Sequence, residues 1–355
     1  MNNLPPLNVL LSERENPFSG WVAVDEFEDL FSSFGNSRIV TATRRRGLQG
    51  LAGKVRNRLI GPYRTVTDLE NGNLLLVIAR APNDLKMLLS IQNVRKKFRY
   101  IAGYVIDSYF TENFPSVTTH YDHIFSTTQE GAEVVKSRFG TSSSVLPQGF
   151  DCLSWACLND TRSIDLIGFG RQPPTYHREF QRAFHTQASP LLYLHSPIGA
   201  LNGRAVWDER PMMLKLLQRS KLSLAFHLGV EPQTIRPRAA SFVTSRWFES
   251  LTNGCVVVGK RPLGRMSEQL FGWPDALIEL PNNPDEAPAA IVDLARSIDF
   301  LRKTRARNVI EMTCRHDWRY RIRDIYEHFK LELPPALTEQ LSSLIHRLEI
   351  LRSAA

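Results

Sequence analysis

The stretch that decides the reading of this chain is Ser241–Val258, SFVTSRWFESLTNGCVVV. Thr244 or Ser245 caps a short helix, Arg246 to Asn253, that Gly254 stops, and a run of β-branched residues follows at once as a strand, Cys255–Gly259. A helix that feeds directly into a buried strand is the building unit of a parallel α/β sheet. Its first turn offers backbone N–H groups without intrahelical partners and the positive end of the helix dipole, so an anion such as a diphosphate is stabilised there, and Arg246 adds a full charge. Glu249 lies about one turn further in, where its carboxylate accepts hydrogen bonds from two vicinal hydroxyls, as a ribose presents. A diphosphate at the cap and a diol one turn in is the geometry of a nucleoside diphosphate.

Outward from this unit, short apolar runs alternate with helical patterns along the whole chain. The first half predicts strands at Asn8–Leu11, Arg38–Thr43, Leu74–Ile78, Tyr100–Ile106, His123–Ser126 and Ser143–Leu146, with helices at Val22–Phe34, Leu85–Lys97 and Gln129–Phe139. The pattern breaks at Leu146-Pro147-Gln148-Gly149 and restarts with a strand at Ile164–Phe169. Strands at Pro190–His195, Leu222–His227 and Ala276–Leu280 follow, with helices at His177–Phe184, Pro211–Arg219 and Ile291–Leu301. The C-terminal helices Asp317–Phe329 and Thr338–Leu351 carry apolar stripes at helical spacing, the second of them Leu341, Leu344, Ile345, Leu348 and Leu351, which predicts a core-facing side. The fold class is α/β: two Rossmann-like domains facing a cleft, with the strand C-termini and their loops around it. Residues 1–148 form the first domain, 149–315 the second, and 316–355 helices that pack back on the first. At 355 residues and 43% hydrophobic, each half can bury a core.

After Ile164–Phe169 comes Gly168-Phe169-Gly170-Arg171-Gln172-Pro173, which starts like a dinucleotide fingerprint but has Pro173 where the third glycine belongs and no acid about 20 residues on. Gly170 still permits close approach of a phosphate, and Arg171 meets it with a charge-assisted pair. His227 ends a strand of the same domain and faces the same cleft, although a strand-terminal histidine is more often part of the core. In the first domain Asp107 ends the strand Tyr100–Ile106. It is a candidate general base for an acceptor hydroxyl, a residue that positions the donor sugar, or simply a turn cap. His120, Asp122 and His123 form a second polar cluster that ranks lower, because the last two lead into a strand.

Arg246-Trp247-Phe248-Glu249-Ser250-Leu251-Thr252-Asn253-Gly254 resembles the R-x-F-E-x-L-x-x-G block of nucleotide-sugar glycosyltransferases of GT-B fold, in particular the group-1-like branch that includes spore-maturation proteins. Tyr104–Ser108, Tyr121–Ser126, the crossing at Leu146–Gly149 and His316-Asp317-Trp318-Arg319-Tyr320-Arg321 resemble further pieces of that branch in the same order, so the likeness spans about residues 100 to 325. The resemblance implies a sugar transferred from a nucleotide-diphosphate donor to an acceptor hydroxyl. It makes Glu249 the second glutamate of the family's E-x7-E motif, which binds the donor ribose, and Arg171 the diphosphate arginine. The first glutamate of that motif falls at Ser241, and the lysine expected after Arg171 has no counterpart at Thr175 or Tyr176; Arg246 compensates for it. Donor-site residues are thus Gly170, Arg171, His227, Thr244, Ser245, Arg246 and Glu249. The competing readings are a non-catalytic nucleotide-sugar-binding module, which Ser241 keeps open, and a nucleotide-sugar 2-epimerase of the same fold.

No two aspartates are separated by a single residue, so the Asp-x-Asp metal clamp of the other large glycosyltransferase class is absent. Arginines and the helix terminus are expected to neutralise the leaving group, with no cofactor and no metal. The four cysteines form no CxxC pair. Neither an export signal nor an uncharged apolar run of about 18 residues is present, which implies a cytosolic chain. The net charge of +8 is concentrated: from Ser32 to Thr67 there is no acid, and Arg38, Arg44, Arg45, Arg46, Lys54, Arg56, Arg58 and Arg64 supply eight cations. Such a segment is a solvated loop or a docking patch for an anionic acceptor or the inner face of a membrane. Nucleic acid is a poorer partner, because only Tyr63 interleaves the charges with an aromatic ring.

Overall fold

The computed structural model describes residues 7–14, 18–35, 37–45, 62–170, 172–195, 205–227, 229–230, 242–263 and 265–355, and the counts below are of those residues. Arg46, Lys54, Arg56, Arg58, Arg171 and Ser241 lie outside them. The chain divides into two compact units. One comprises Met1–Pro17, Ala23–Gln148 and Arg321–Thr338, the other Phe18–Val22, Gly149–Tyr320 and Glu339–Ala355. Residues 316–355 are therefore shared between the units.

The first unit is built on a six-stranded sheet: β1 (Asn8–Ser12), β2 (Ser37–Thr41), β3 (Gly72–Ala79), β4 (Phe98–Val105), β5 (His123–Ser126) and β6 (Ser142–Val145). Every pairing is parallel, and the order is β2-β1-β3-β4-β5-β6. Both faces of a parallel sheet are covered, so β1 is buried at all five positions, as its continuous apolar run requires. The chain leaves β1 toward β2 and later enters β3 on the opposite side, which makes the β1/β3 gap the topological switch point.

Helix α1 (Val22–Ser33) follows β1. The single helix expected over Leu85–Lys97 is instead a 3-10 segment, Pro82–Ser90, and a separate turn, α2 (Val94–Lys97). Two features break it: Ile91 is extended and bridges to Val66, and Asn93 takes a left-handed backbone with φ 53°. Helix α3 (Gln129–Phe139) starts as expected, with the Thr128 hydroxyl accepting the Gly131 N–H at 3.1 Å.

The second unit has a five-stranded parallel sheet in the order β11-β10-β9-β7-β8. Its strands are β7 (Ile164–Gly168), β8 (Tyr193–His195), β9 (Ser220–Phe226), β10 (Val256–Lys260) and β11 (Ile278–Glu279). Its helices are α4 (Cys152–Trp155), α5 (Pro174–Phe184), α6 (Ala205–Gln218), α7 (Ser245–Thr252), α8 (Met266–Phe271), α9 (Ala287–Arg296) and α10 (Ile298–Arg315); α11 (Trp318–His328) passes into the first unit at Arg321, and α12 (Pro335–Ser353) returns to the second at Glu339. Pro211 does not open its helix as the sequence reading expects; it sits inside α6, which begins at Ala205. The helix expected through Ile291–Leu301 is interrupted at Ser297 between α9 and α10. In α12 the buried line is Leu337, Leu344 and Leu351 with Leu341 and Leu348 half-buried, whereas Ile345 is 59% exposed and falls off the stripe.

Within this unit Phe150–Leu153, just after the crossing, and the His316–Arg319 motif are one construction. Phe150 donates its N–H to the His316 carbonyl at 2.9 Å and accepts from Trp318 at 3.1 Å, a strand-like bridge to Asp317. Asp317 is fully buried, receives the Leu153 N–H at 3.0 Å, and pairs with Arg319, which also holds Asp151 at 2.7 Å. The motif therefore locks the start of the second unit.

Candidate active site

The decisive helix α7 is fastened by its core face and its C-terminal end. Trp247, Phe248 and Leu251 are at most 1% exposed and lie in the apolar layer with Phe150, Val257 and Met312. At the C-terminus Cys255 donates to the Ser250 carbonyl at 2.9 Å and Gly254 to Leu251 at 3.1 Å, a Schellman closure that needs the left-handed φ of 77° at Gly254. A side chain there would also stand 2.4 Å from both Arg162 Nη2 and the Cys157 carbonyl.

Arg162 is the clamp. Its Nη2 donates to the Asn253 carbonyl at 3.0 Å, and its Nη1 to the carbonyls of Leu217 at 3.1 Å and Ser220 at 2.7 Å. A buried cation thus sits at the C-terminal ends of α6 and α7, where the helix dipoles are negative. Burial lowers its pKa below the usual arginine value.

At the other end of α7, Thr244 is the N-cap by backbone conformation (φ −108°, ψ 168°), and Ser245 is the first helical residue. The Thr244 hydroxyl makes no capping bond and is buried without a hydrogen-bond partner among the described residues. Arg246 is 9% exposed, and its guanidinium lies against Gly170, the residue after the β7 loop begins, which has φ 65°. The Gly170 loop and the α7 N-terminus, 76 positions apart in the chain, are thus brought together on one edge of the sheet. The loop ends in Pro173 and Pro174, which start α5, so a proline takes the place of the third glycine at no cost in backbone conformation.

Glu249 is 3% exposed and does not stand alone: Arg210 Nη1 donates to its Oε1 at 2.7 Å, with the two side chains 6% and 4% exposed. Taking Pro211 as the helix start leaves Arg210 in a loop, so the sequence does not single it out; its signal is its place on the helix face of Val206, Met213, Leu214 and Leu217. His227 follows β9, half-buried, with Nδ1 accepting the Gly229 N–H at 3.1 Å, so the ring proton is on Nε2. It stands at the switch point of the second sheet, between the ends of β7 and β9.

In the first unit Asp107 follows β4 at the C-terminal edge of the sheet, and its N–H donates to the Arg80 carbonyl at 2.9 Å. Burial pushes its carboxyl up to about 7, a hydrogen bond with Tyr109 counteracts this, and the nearby Asp84 charge adds to the rise. Asp122 binds Arg95 at 2.6 Å and the Ile101 N–H at 2.7 Å, while both ring nitrogens of His123 bind serines, Ser142 and Ser144. That cluster is structural and lies where β5 begins, at the opposite edge of the sheet from Asp107.

Two described cations of the acid-free segment are met by acids from elsewhere in the sequence. Arg44 binds Glu13 at 2.7 Å and Asp84 at 2.8 Å beside the Tyr63 ring, and Arg38 reaches Glu70 at 3.4 Å. Arg45 donates to the Tyr63 carbonyl at 2.9 Å.

Residues 178–327 match a family model described as "Glycosyl transferase-like". They form a glycosyltransferase domain. The match contains Arg210, His227, Thr244, Ser245, Arg246 and Glu249 and ends before α11 does; Asp107 lies outside it. The glycosyltransferase has the GT-B fold of two Rossmann-like units. Anabaena HepE in complex with UDP-glucose superposes with a TM-score of 0.54 at 11% identity, covering 91% of this chain and 99% of that one. HepE with UDP and glucose gives 0.54 at 11% identity over 92% and 100%. At this identity the likeness is one of fold. No curated protein matches the chain by sequence. Among the described residues no helix of the glycosyltransferase is long and apolar enough to cross a membrane.

Proposed function

We propose that this glycosyltransferase takes a sugar from a nucleotide-diphosphate donor and passes it to an acceptor hydroxyl without a metal. The observation that carries the reading is the meeting of the α7 N-terminus, Arg246 and Gly170, with Glu249 one turn further in. Helix N–H groups and Arg246 neutralise the diphosphate as the sugar leaves, joined by Arg171; the unpartnered Thr244 hydroxyl is a further donor to a phosphate oxygen. Glu249 takes the ribose diol, and His227 contacts the donor from the end of β9. The UDP-glucose held by the like-folded HepE supports a uridine diphosphate sugar as the first donor to try. Asp107, with its pKa near neutrality, takes the proton of the acceptor hydroxyl, which gives inversion at the anomeric carbon.

The acceptor is anionic or lies at a membrane surface on the inner, cytoplasmic side. Arg45, Arg46, Lys54, Arg56 and Arg58 recruit it; Arg44, already paired with two carboxylates, contributes less. Incubation with a panel of UDP-, GDP-, ADP- and CMP-sugars tests the reading. Slow hydrolysis of one donor is expected; an epimerised sugar, or binding with no turnover even when acceptors are added, overturns it.

A further inference from the structure

We propose that Arg210 is a positioning residue for donor binding: it grips Glu249 by Oε1 and thereby aims the carboxylate's other oxygen at the ribose diol of a nucleoside diphosphate. The inference rests on the reading of Glu249 as the ribose ligand and adds the residue that makes it one. A carboxylate 3% exposed is costly to bury without a charged hydrogen-bond partner. The Arg210 guanidinium at 2.7 Å supplies that partner and fixes the rotamer of the carboxylate.

Arg210 is itself well held. It stands on α6, its guanidinium is 5.7 Å from the Phe150 ring centroid, and α6 is tied to α7 through the Arg162 clamp at both C-termini. A buried ion pair costs so much desolvation that apolar residues of the same volume are commonly as stable, so fold stability alone is a poor reason for this one. The place of its partner Glu249 on α7, the helix whose N-terminus meets Gly170, supplies a better one.

The test separates ribose recognition from general integrity. The nucleoside diphosphate among UDP, GDP and ADP that raises the melting temperature most is compared with its 2′,3′-dideoxy analogue by calorimetry, for the wild type, Arg210→Lys and Glu249→Gln. Wild type is expected to prefer the ribonucleotide by about 10-fold or more, as loss of a charged hydrogen bond implies. Arg210→Lys is expected to reduce that preference to within about 3-fold while leaving dideoxy affinity in place, because a lysine cannot reproduce the fork geometry. A merely structural role would weaken both ligands equally and would overturn the proposal.

If wild type binds none of the three, or binds the two forms equally, the ribose reading of Glu249 fails and the proposal with it. If wild type discriminates and Arg210→Lys does so undiminished, the proposal alone fails. Should Arg210→Lys not fold, Arg210→Gln in the Glu249→Gln background, a neutral amide pair, closes the cycle: no further loss of ribonucleotide affinity beyond Glu249→Gln supports action through Glu249, and an additional loss overturns it.

Discussion

The guanidinium of Arg246 lies on Gly170: a methyl group at position 170 would stand 3.5 Å from its Nε and 3.6 Å from its Cζ. These are ordinary contacts, so the obstacle to a side chain is the backbone, which holds φ at 65°. Gly170→Ala is therefore expected to fold with a loss of about 1–2 kcal/mol, the cost of a left-handed alanine, and to weaken nucleoside-diphosphate binding as the loop relaxes. Thermal melts and calorimetry read the two effects; unchanged affinity would mean that this loop does not meet the phosphates. Arg246→Ala leaves the loop intact and is expected to lower the same affinity by about 10-fold or more.

Gly254 allows no such compromise. Its φ of 77° and the 2.4 Å approach of Arg162 and of the Cys157 carbonyl add steric conflict to backbone strain. Gly254→Ala should cost more than about 3 kcal/mol and release the C-terminal end of α7. Chemical denaturation measures it, and a loss under about 1 kcal/mol would contradict the packing described.

Asp107 carries a pH signature. Its ordinary carboxyl value is 3.8 and its folded value about 7, so between these the folded chain holds a proton that the unfolded chain has released. Its contribution to stability therefore falls as pH rises from about 4 to 7 and is flat above. As a general base it works only when deprotonated, so kcat/KM should climb through pH 7 and level off. Asp107→Asn should lower turnover by about 10²–10⁴-fold while making the fold more stable at pH 8. Retained activity would remove Asp107 from the chemistry.

Glu28 offers a purely structural comparison. It is fully buried on α1, binds the Ser12 hydroxyl at 2.5 Å, and burial pushes its carboxyl up to about 8. Held protonated at neutral pH, it loses stability as pH rises from about 4.5 to 8. Glu28→Gln should flatten that part of the melting profile with turnover per folded molecule unchanged; a profile that keeps its slope would show that Glu28 is not its source.

The basic segment needs its charges tested separately. Arg44→Glu sets a third carboxylate beside Glu13 and Asp84, at a cost of about 1–2 kcal/mol after screening, because the Arg44 side chain is 55% exposed. Lys54→Glu combined with Arg56→Glu and Arg58→Glu should leave the melting temperature in place and weaken binding to vesicles containing anionic lipid, or raise acceptor KM. If neither changes, the segment does not recruit the acceptor.

What the sequence determined by itself was local. The β-branched run at Cys255–Gly259, the Thr128 cap, and the Gly254 stop are set by sterics and hydrogen bonds within a few residues, so they were legible, as was the order of strands and helices that makes two parallel α/β units. Tertiary structure decided where each charge is spent. Arg210 meets Glu249 across 39 positions, Arg44 meets Asp84 across 40, and Arg162 reaches carbonyls at Leu217 and Asn253. Periodicity does not encode such pairings, because an ion pair depends on which strand ends the sheet order makes neighbours. The same holds for Pro211, whose local meaning is a helix start and whose place inside α6 is imposed by packing.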